Sequence, residues 1–153
     1  MSLTIKKILV PIDFSDVSSS ALRYGASLAD EYSAQLTVLT VADDDSSWVV
    51  DLSDRVHVKE RWREERVKEG ERLLEDFCRP VLGERDYAKA VRVGDPALEI
   101  VSCCMQEHAD MLIIGAHGNT GVVSDWLGGV AYTVSKKAPC PVLMVKDSAK
   151  SAS

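Results

Sequence analysis

MLIIGAHGNTGVVSDWLGGVAYTVSKKAPCPVLMVK, residues 111–146, changes character repeatedly along its length. Met111-Leu112-Ile113-Ile114 is an apolar run too short for a helix and rich in β-branched residues, which predicts a buried strand. Glycines then crowd in: Gly115, Gly118, Gly121, Gly128 and Gly129 are five of the nine in the chain. Val130, Val134 and Ala138 follow at helical spacing, then Pro139 and Pro141, then a second apolar strand from Val142 to Val145. Strand, glycine-rich loop, helix and strand make a βαβ unit whose loop suits an anion. Glycine lets backbone approach a ligand closely, and unpaired amides at a helix start favour phosphate.

Working outward, Ile8 to Ile12 reads as the first strand and ends in Pro11-Ile12-Asp13. Phe14-Ser15-Asp16 supplies helix-capping residues, and a helix is predicted to about Tyr32, with Val17, Ala21, Leu28 and Tyr32 on one face and Gly25 near it. Gln35 to Val41 is almost continuously apolar or β-branched, as for a strand covered on both sides. Residues 43–54 break the pattern with an acidic loop (Asp43, Asp44, Asp45, Asp51, Asp54) around Trp48. It reads as a solvated connection, a lid or a partner contact; a divalent-ion site built by these aspartates is the weaker alternative, since they lack EF-hand spacing.

Val56 to Leu82 predicts a long helix with Val58, Trp62, Leu73, Phe77 and Val81 on its apolar face, and Gly70 placed there for close packing. Tyr87 to Val93 alternates more and is expected at a sheet edge. Asp95 and Pro96 read as N-cap and first helical residue. Ala97, Ile100, Val101, Cys104 and Met105 form the buried face of the helix that follows, with Cys103 more exposed. The tail, residues 147–153, is polar and expected to be disordered.

Alternating strands and helices predict a single-domain α/β fold over residues 1–146: a doubly wound parallel sheet with helices on both faces and right-handed crossovers. Ligands bind such sheets at the carboxyl ends of strands, where strand order reverses. Asp13, Val41 and the loop after Ile114 all lie at such ends. Their convergence suits a mononucleotide: Asp13 for ribose or base, the glycine loop for phosphates.

Composition narrows the classes. A chain of 153 residues, 46% hydrophobic and 27% charged, is large enough to bury a core. The net charge of −6 argues against nucleic acid or anionic membrane as partners. No run approaches the ~20 apolar residues of a bilayer span, and the N-terminus lacks a signal-peptide pattern, so a cytoplasmic protein is expected. Cys78, Cys103, Cys104 and Cys140 show no C-x-x-C spacing and read as reduced, partly buried thiols rather than a zinc site or disulfide framework. No Walker A run occurs, and the glycines follow the fourth strand rather than the first, unlike a dinucleotide fingerprint.

The chain resembles the universal stress protein family. Gly115-x2-Gly118-x9-Gly128 matches the glycine motif of its ATP-binding members. The opening Ile-Leu-Val-Pro-Ile-Asp, Gly94-Asp95-Pro96, Ala109-Asp110-Met-Leu-Ile-Ile-Gly and the closing Cys-Pro-Val-Leu-Met-Val also resemble the family's segments at those places. The resemblance implies an adenine nucleotide alpha hydrolase-like sheet of five strands in order 3-2-1-4-5. It also implies a homodimer paired through the last strand, Val142 to Val145, and an unidentified protein partner. By motif position, Pro11, Asp13 and the backbone of Val41 meet adenosine. Ile114, Gly115, His117, Gly118, Gly128, Gly129 and Val130 line the phosphate side, and Mg²⁺ or Mn²⁺ accompanies the triphosphate.

One position departs: Gly129 stands where the family has Ser or Thr. A hydroxyl bonded to a charged phosphate contributes roughly 1.5–3 kcal/mol, so ATP is expected to be preferred less strongly over ADP and AMP. Thr120 and Ser124 are candidate substitutes for that hydroxyl. His117 lacks the nucleophile or carboxylate partner of a catalytic set, which favours a binding protein in stress response. The alternatives are a slow ATPase or nucleotidyl transferase, and a nucleotide-free scaffold dimer.

Overall fold

The computed structural model describes residues 3–44, 55–116 and 129–146. Five strands alternate with four helices: β1 (Lys7–Pro11), α1 (Asp16–Tyr32), β2 (Gln35–Ala42), α2 (Arg55–Leu82), β3 (Ala88–Val93), α3 (Pro96–Gln106), β4 (Met111–Gly115), α4 (Gly129–Lys137) and β5 (Val142–Val145). All strand pairings are parallel, in the order β3-β2-β1-β4-β5. The doubly wound sheet and its predicted order therefore hold, with β3 at an edge.

Each face of the sheet carries its own core, because successive residues of a strand point to opposite sides. Ile8, Val10, Val38 and Ile113 pack under α1 and α2, against Ala21, Leu22, Leu74 and Cys78. Leu9, Leu39, Leu112 and Ile114 pack under α3 and α4, against Ile100, Cys104, Ala131 and Val134. Two glycines allow close approach. A Cβ on Gly25 would lie 2.6 Å from Val10 Cγ2, and one on Gly70 would lie 2.6 Å from Val91 Cγ1.

The helix starts follow local chemistry. Ser15 Oγ accepts from the Ser18 amide at 3.3 Å, and Asp95 Oδ2 accepts from the Leu98 amide at 3.0 Å with Pro96 at the first helical position. At the amino edge of the sheet, Asp110 Oδ2 accepts from the amides of Lys6 (2.8 Å) and Lys7 (3.0 Å), fastening β4 to β1.

Several predicted faces are corrected. On α1, Tyr32 is exposed and Leu28 only half-buried, while Leu22 and Ala29 take the core positions. On α2, Leu73 is exposed and its neighbour Leu74 is buried, in step with Gly70, Cys78 and Leu82. On α3, Met105 is exposed and Cys103 is as buried as Cys104. These neighbours face different cover: Cys103 feels the Arg92 side chain of β3, whereas Cys104 meets Cys140 beyond α4.

The charged run Lys59–Lys68 is a solvated face around buried Trp62, with Arg66 stacked 5.3 Å from its ring centroid. Asp43 and Asp44 are exposed, and Asp44 pairs with Arg63 at 3.0 Å. The rest of the acidic loop and the 147–153 tail lie outside the described residues.

Candidate nucleotide site

The carboxyl edge of the three central strands is where the sequence places a ligand, and the fold brings the relevant residues to it. β1 is flanked by β2 and β4, so strand order reverses between β1 and β4. There the register runs Ile8↔Met111 and Leu9↔Leu112, whereas β1 and β2 pair as far as Pro11↔Leu39. Beyond the strands, the Ile12 amide donates to the Leu39 carbonyl at 2.7 Å, and Thr40 Oγ1 donates to the Ile12 carbonyl at 3.0 Å. Thr40 is a buried polar residue in an apolar strand. Its hydroxyl ties the residue before Asp13 to the residue before Val41.

Asp13 is half-buried directly after β1, and its Oδ1 accepts from the Ser15 amide at 3.1 Å and from the Ser15 hydroxyl. Ser15 in turn caps α1, and Ser18 Oγ donates back to the Ser15 carbonyl at 2.9 Å. Asp13 therefore organises the turn into α1. Phe14 between them takes φ 66°, an unfavourable backbone for a side-chain-bearing residue, and its ring meets Phe77 edge-on at 5.4 Å. Sequence reasoning passed over Thr40 and Phe14. A threonine inside Leu36-Thr-Val-Leu-Thr-Val was the available signal for the first; φ at Phe14 left none.

Val41 is half-buried near the end of β2, in register with Arg92. Pro11, the last residue of β1, and Ile114, next to the last of β4, are buried. Gly115 ends β4. A Cβ there would lie 2.8 Å from Val17 Cγ1, so the bare backbone lets the first turn of α1 settle against the strand end. The next amide, Ala116, donates to the Val145 carbonyl at 2.8 Å.

Gly129 opens α4; among the described residues nothing lies within 4 Å of the point a Cβ would occupy, and Val130 is buried behind it. The sequence positions His117, Gly118, Thr120, Ser124, Trp126 and Gly128 lie outside the described residues.

The family model for universal stress proteins matches residues 4–146. The chain belongs to the universal stress protein family. It is 32% identical over 145 residues to universal stress protein YxiE of Bacillus subtilis, covering 92% of this chain and 98% of that one. It is 33% identical over 153 residues to universal stress protein MJ0531 of Methanocaldococcus jannaschii, covering 95% and 84%. Among solved structures, that of hypothetical protein MJ0577 superposes with a TM-score of 0.73 at 27% identity, covering 95% of this chain and 98% of that one. Universal stress proteins solved in complex with cAMP (21% identity, TM-score 0.61; 94% of this chain and 98% of that one) and with dAMP (19%, 0.58; 94% and 100%) share the fold.

Further cavities among the described residues of this universal stress protein include two at the opposite, amino edge of the sheet. One lies between β2 and β3 beside Gln35 and Tyr87; another lies beside Cys104, Asp110 and Pro139. A groove also lies on the charged face of α2. Among the described residues no helix is long and apolar enough to cross a membrane.

Proposed function

We propose that this universal stress protein binds an adenine nucleotide, ATP, ADP or AMP, and acts as a regulatory homodimer rather than as an enzyme. The observation that carries the reading is the meeting of Asp13, Val41 and Gly115 on one edge of three adjacent strands, at the reversal of strand order. Asp13 and the Val41 main chain receive adenosine, with Pro11 and Ile114 contributing backbone. Gly115, His117, Gly118, Gly128, Gly129 and Val130 cradle the phosphates, aided by the start of α4.

The glycine spacing and the strand-edge geometry support this assignment. The cAMP and dAMP complexes of distant relatives are of the same fold. Mg²⁺ or Mn²⁺ enters with the phosphates, which supply its oxygen ligands; among the described residues no cluster of three His, Cys, Asp or Glu could cage an ion. β5 leaves Leu143 and Met144 exposed on the sheet edge, which supports pairing of two copies through Val142–Val145. We assign residues 1–146 to one domain, with 43–54 a loop within it.

Calorimetric titration with ATP, ADP and AMP, each with and without Mg²⁺, tests the reading. Saturable binding by wild type, abolished in a folded Gly118→Val protein, is expected. No heat at millimolar nucleotide would overturn it.

A further inference from the structure

Far from the nucleotide edge, two thiols meet. Cys104 lies near the end of α3 and Cys140 in the Pro139-Cys140-Pro141 link between α4 and β5, and their sulfurs are 3.1 Å apart. They are 36 positions apart in sequence, so the contact is made by the tertiary fold. Cys104 is buried and Cys140 half-buried, and all four cysteines of the chain are free thiols. A cavity of about 430 Å³ lined by Cys104, Met105, His108, Ala109, Asp110 and Pro139 opens on the Cys104 side of the pair, next in sequence to Cys140 at Pro139. This is room for one end of a small thiol-bearing peptide.

We propose that Cys104 and Cys140 form a dithiol–disulfide site, oxidised by exchange with a low-molecular-weight disulfide of the glutathione class. The Cys140 sulfur, the more accessible, gives up its proton and attacks one sulfur of the small disulfide. The S–S bond of the reagent breaks and its departing thiolate takes up that proton. Cys104 then attacks the Cys140 sulfur, forming the protein disulfide, while the second small thiol leaves with the Cys104 proton. Two protein thiols are oxidised and one small disulfide is reduced to two thiols.

The electrostatics fit these roles. Burial pushes the Cys104 thiol up to about 12, and it also raises Cys140, where the contact with the Cys104 sulfur opposes the rise. Cys140 is thus the first nucleophile and Cys104 the resolving one. The sulfurs need approach by only about 1 Å to reach bonding distance. Such proximity makes the second step far faster than attack by a free thiol. The product clamps α3 to the far end of α4 and closes a loop containing the whole glycine-rich segment.

The test exposes the native, reduced protein to oxidised glutathione and follows its intact mass, then maps peptides without reduction. The expected product is lighter by about 2 Da with no lasting glutathione adduct, and it links Cys104 to Cys140. Its melting temperature rises by about 5 °C or more. Cys103→Ser leaves the reaction intact, Cys104→Ser stops at a glutathione adduct on Cys140, and Cys140→Ser forms no intramolecular bond. A lasting adduct on wild type, a bond through Cys78 or Cys103, or no reaction while the unfolded chain oxidises would each overturn the proposal.

Discussion

Gly115 and Val17 are in contact through backbone and side chain: a Cβ on Gly115 would lie 2.8 Å from Val17 Cγ1. The end of β4 and the first turn of α1 interlock there, and the glycine motif begins as a packing device. Gly115→Ala is therefore expected to destabilise the fold by about 1–3 kcal/mol through overpacking. Combined with Val17→Ala, which removes the obstructing methyls, it should cost less than the sum of the two single changes. Urea unfolding of the three proteins measures this; strict additivity would contradict the contact.

Gly129 is the opposite case, since among the described residues nothing lies within 4 Å of its missing Cβ. Gly129→Ser should leave stability nearly unchanged and strengthen ATP binding about tenfold or more, the effect of one hydroxyl bonded to a charged phosphate. Titration of both proteins with ATP and AMP checks it, and the gain should be larger for ATP. An unchanged ratio would place Gly129 away from the terminal phosphates.

Thr40 ties β2 to the end of β1, and so the residues before Val41 and Asp13, through the Ile12 carbonyl. Thr40→Val keeps the shape and leaves a buried carbonyl without that donor, at a cost of about 1–3 kcal/mol. Thr40→Ser retains the hydroxyl and should recover much of the loss. Chemical denaturation distinguishes these outcomes.

Burial also sets an alkaline limit. Cys78 is raised to about 11 from 9.0 and Tyr87 to about 12 from 10.0, mainly by desolvation. Both groups stay protonated in the fold while the unfolded chain ionises, so the unfolded state binds fewer protons and stability falls with rising pH. For Cys78 the contribution is complete below about pH 9 and is lost between about pH 9 and 11. Once its unfolded form is ionised, Cys78 adds a slope of at most about 1.4 kcal/mol per pH unit. Unfolding under reducing conditions at pH 8, 9 and 10 should show the decline, with a shallower slope in Cys78→Ala. A flat profile would contradict the burial.

Much of this was legible in the sequence because local and tertiary preferences agree. Asp95-Pro96 starts α3 as its residue types dictate, β3 alternates because it lies at an edge, and Gly70 marks where α2 meets Val91. The faces that were misread have a common cause. On α2, the buried residues Gly70, Leu74, Cys78 and Leu82 recur every four positions. Such a stripe advances about 40° per step around a helix of 3.6 residues per turn. A fixed-face reading therefore slipped from Leu74 to Leu73.

On α3, the sheet covers one side and α4 another, so the adjacent Cys103 and Cys104 are both buried. No single-helix pattern carries that information. At the candidate site, residue type pointed to Asp13 and the glycines. The support from Thr40 and the strained turn at Phe14 depend on how neighbouring strands and α2 come together.

The most direct test of nucleotide binding at this edge is amide chemical-shift mapping of the uniformly labelled protein during titration with ATP. Saturable shifts should centre on Asp13, Val41, Gly115, Gly129 and Val130, while Gln35 and Ala88, at the amino edge, stay still. No shifts at millimolar ATP, or shifts confined to the amino edge, would contradict it.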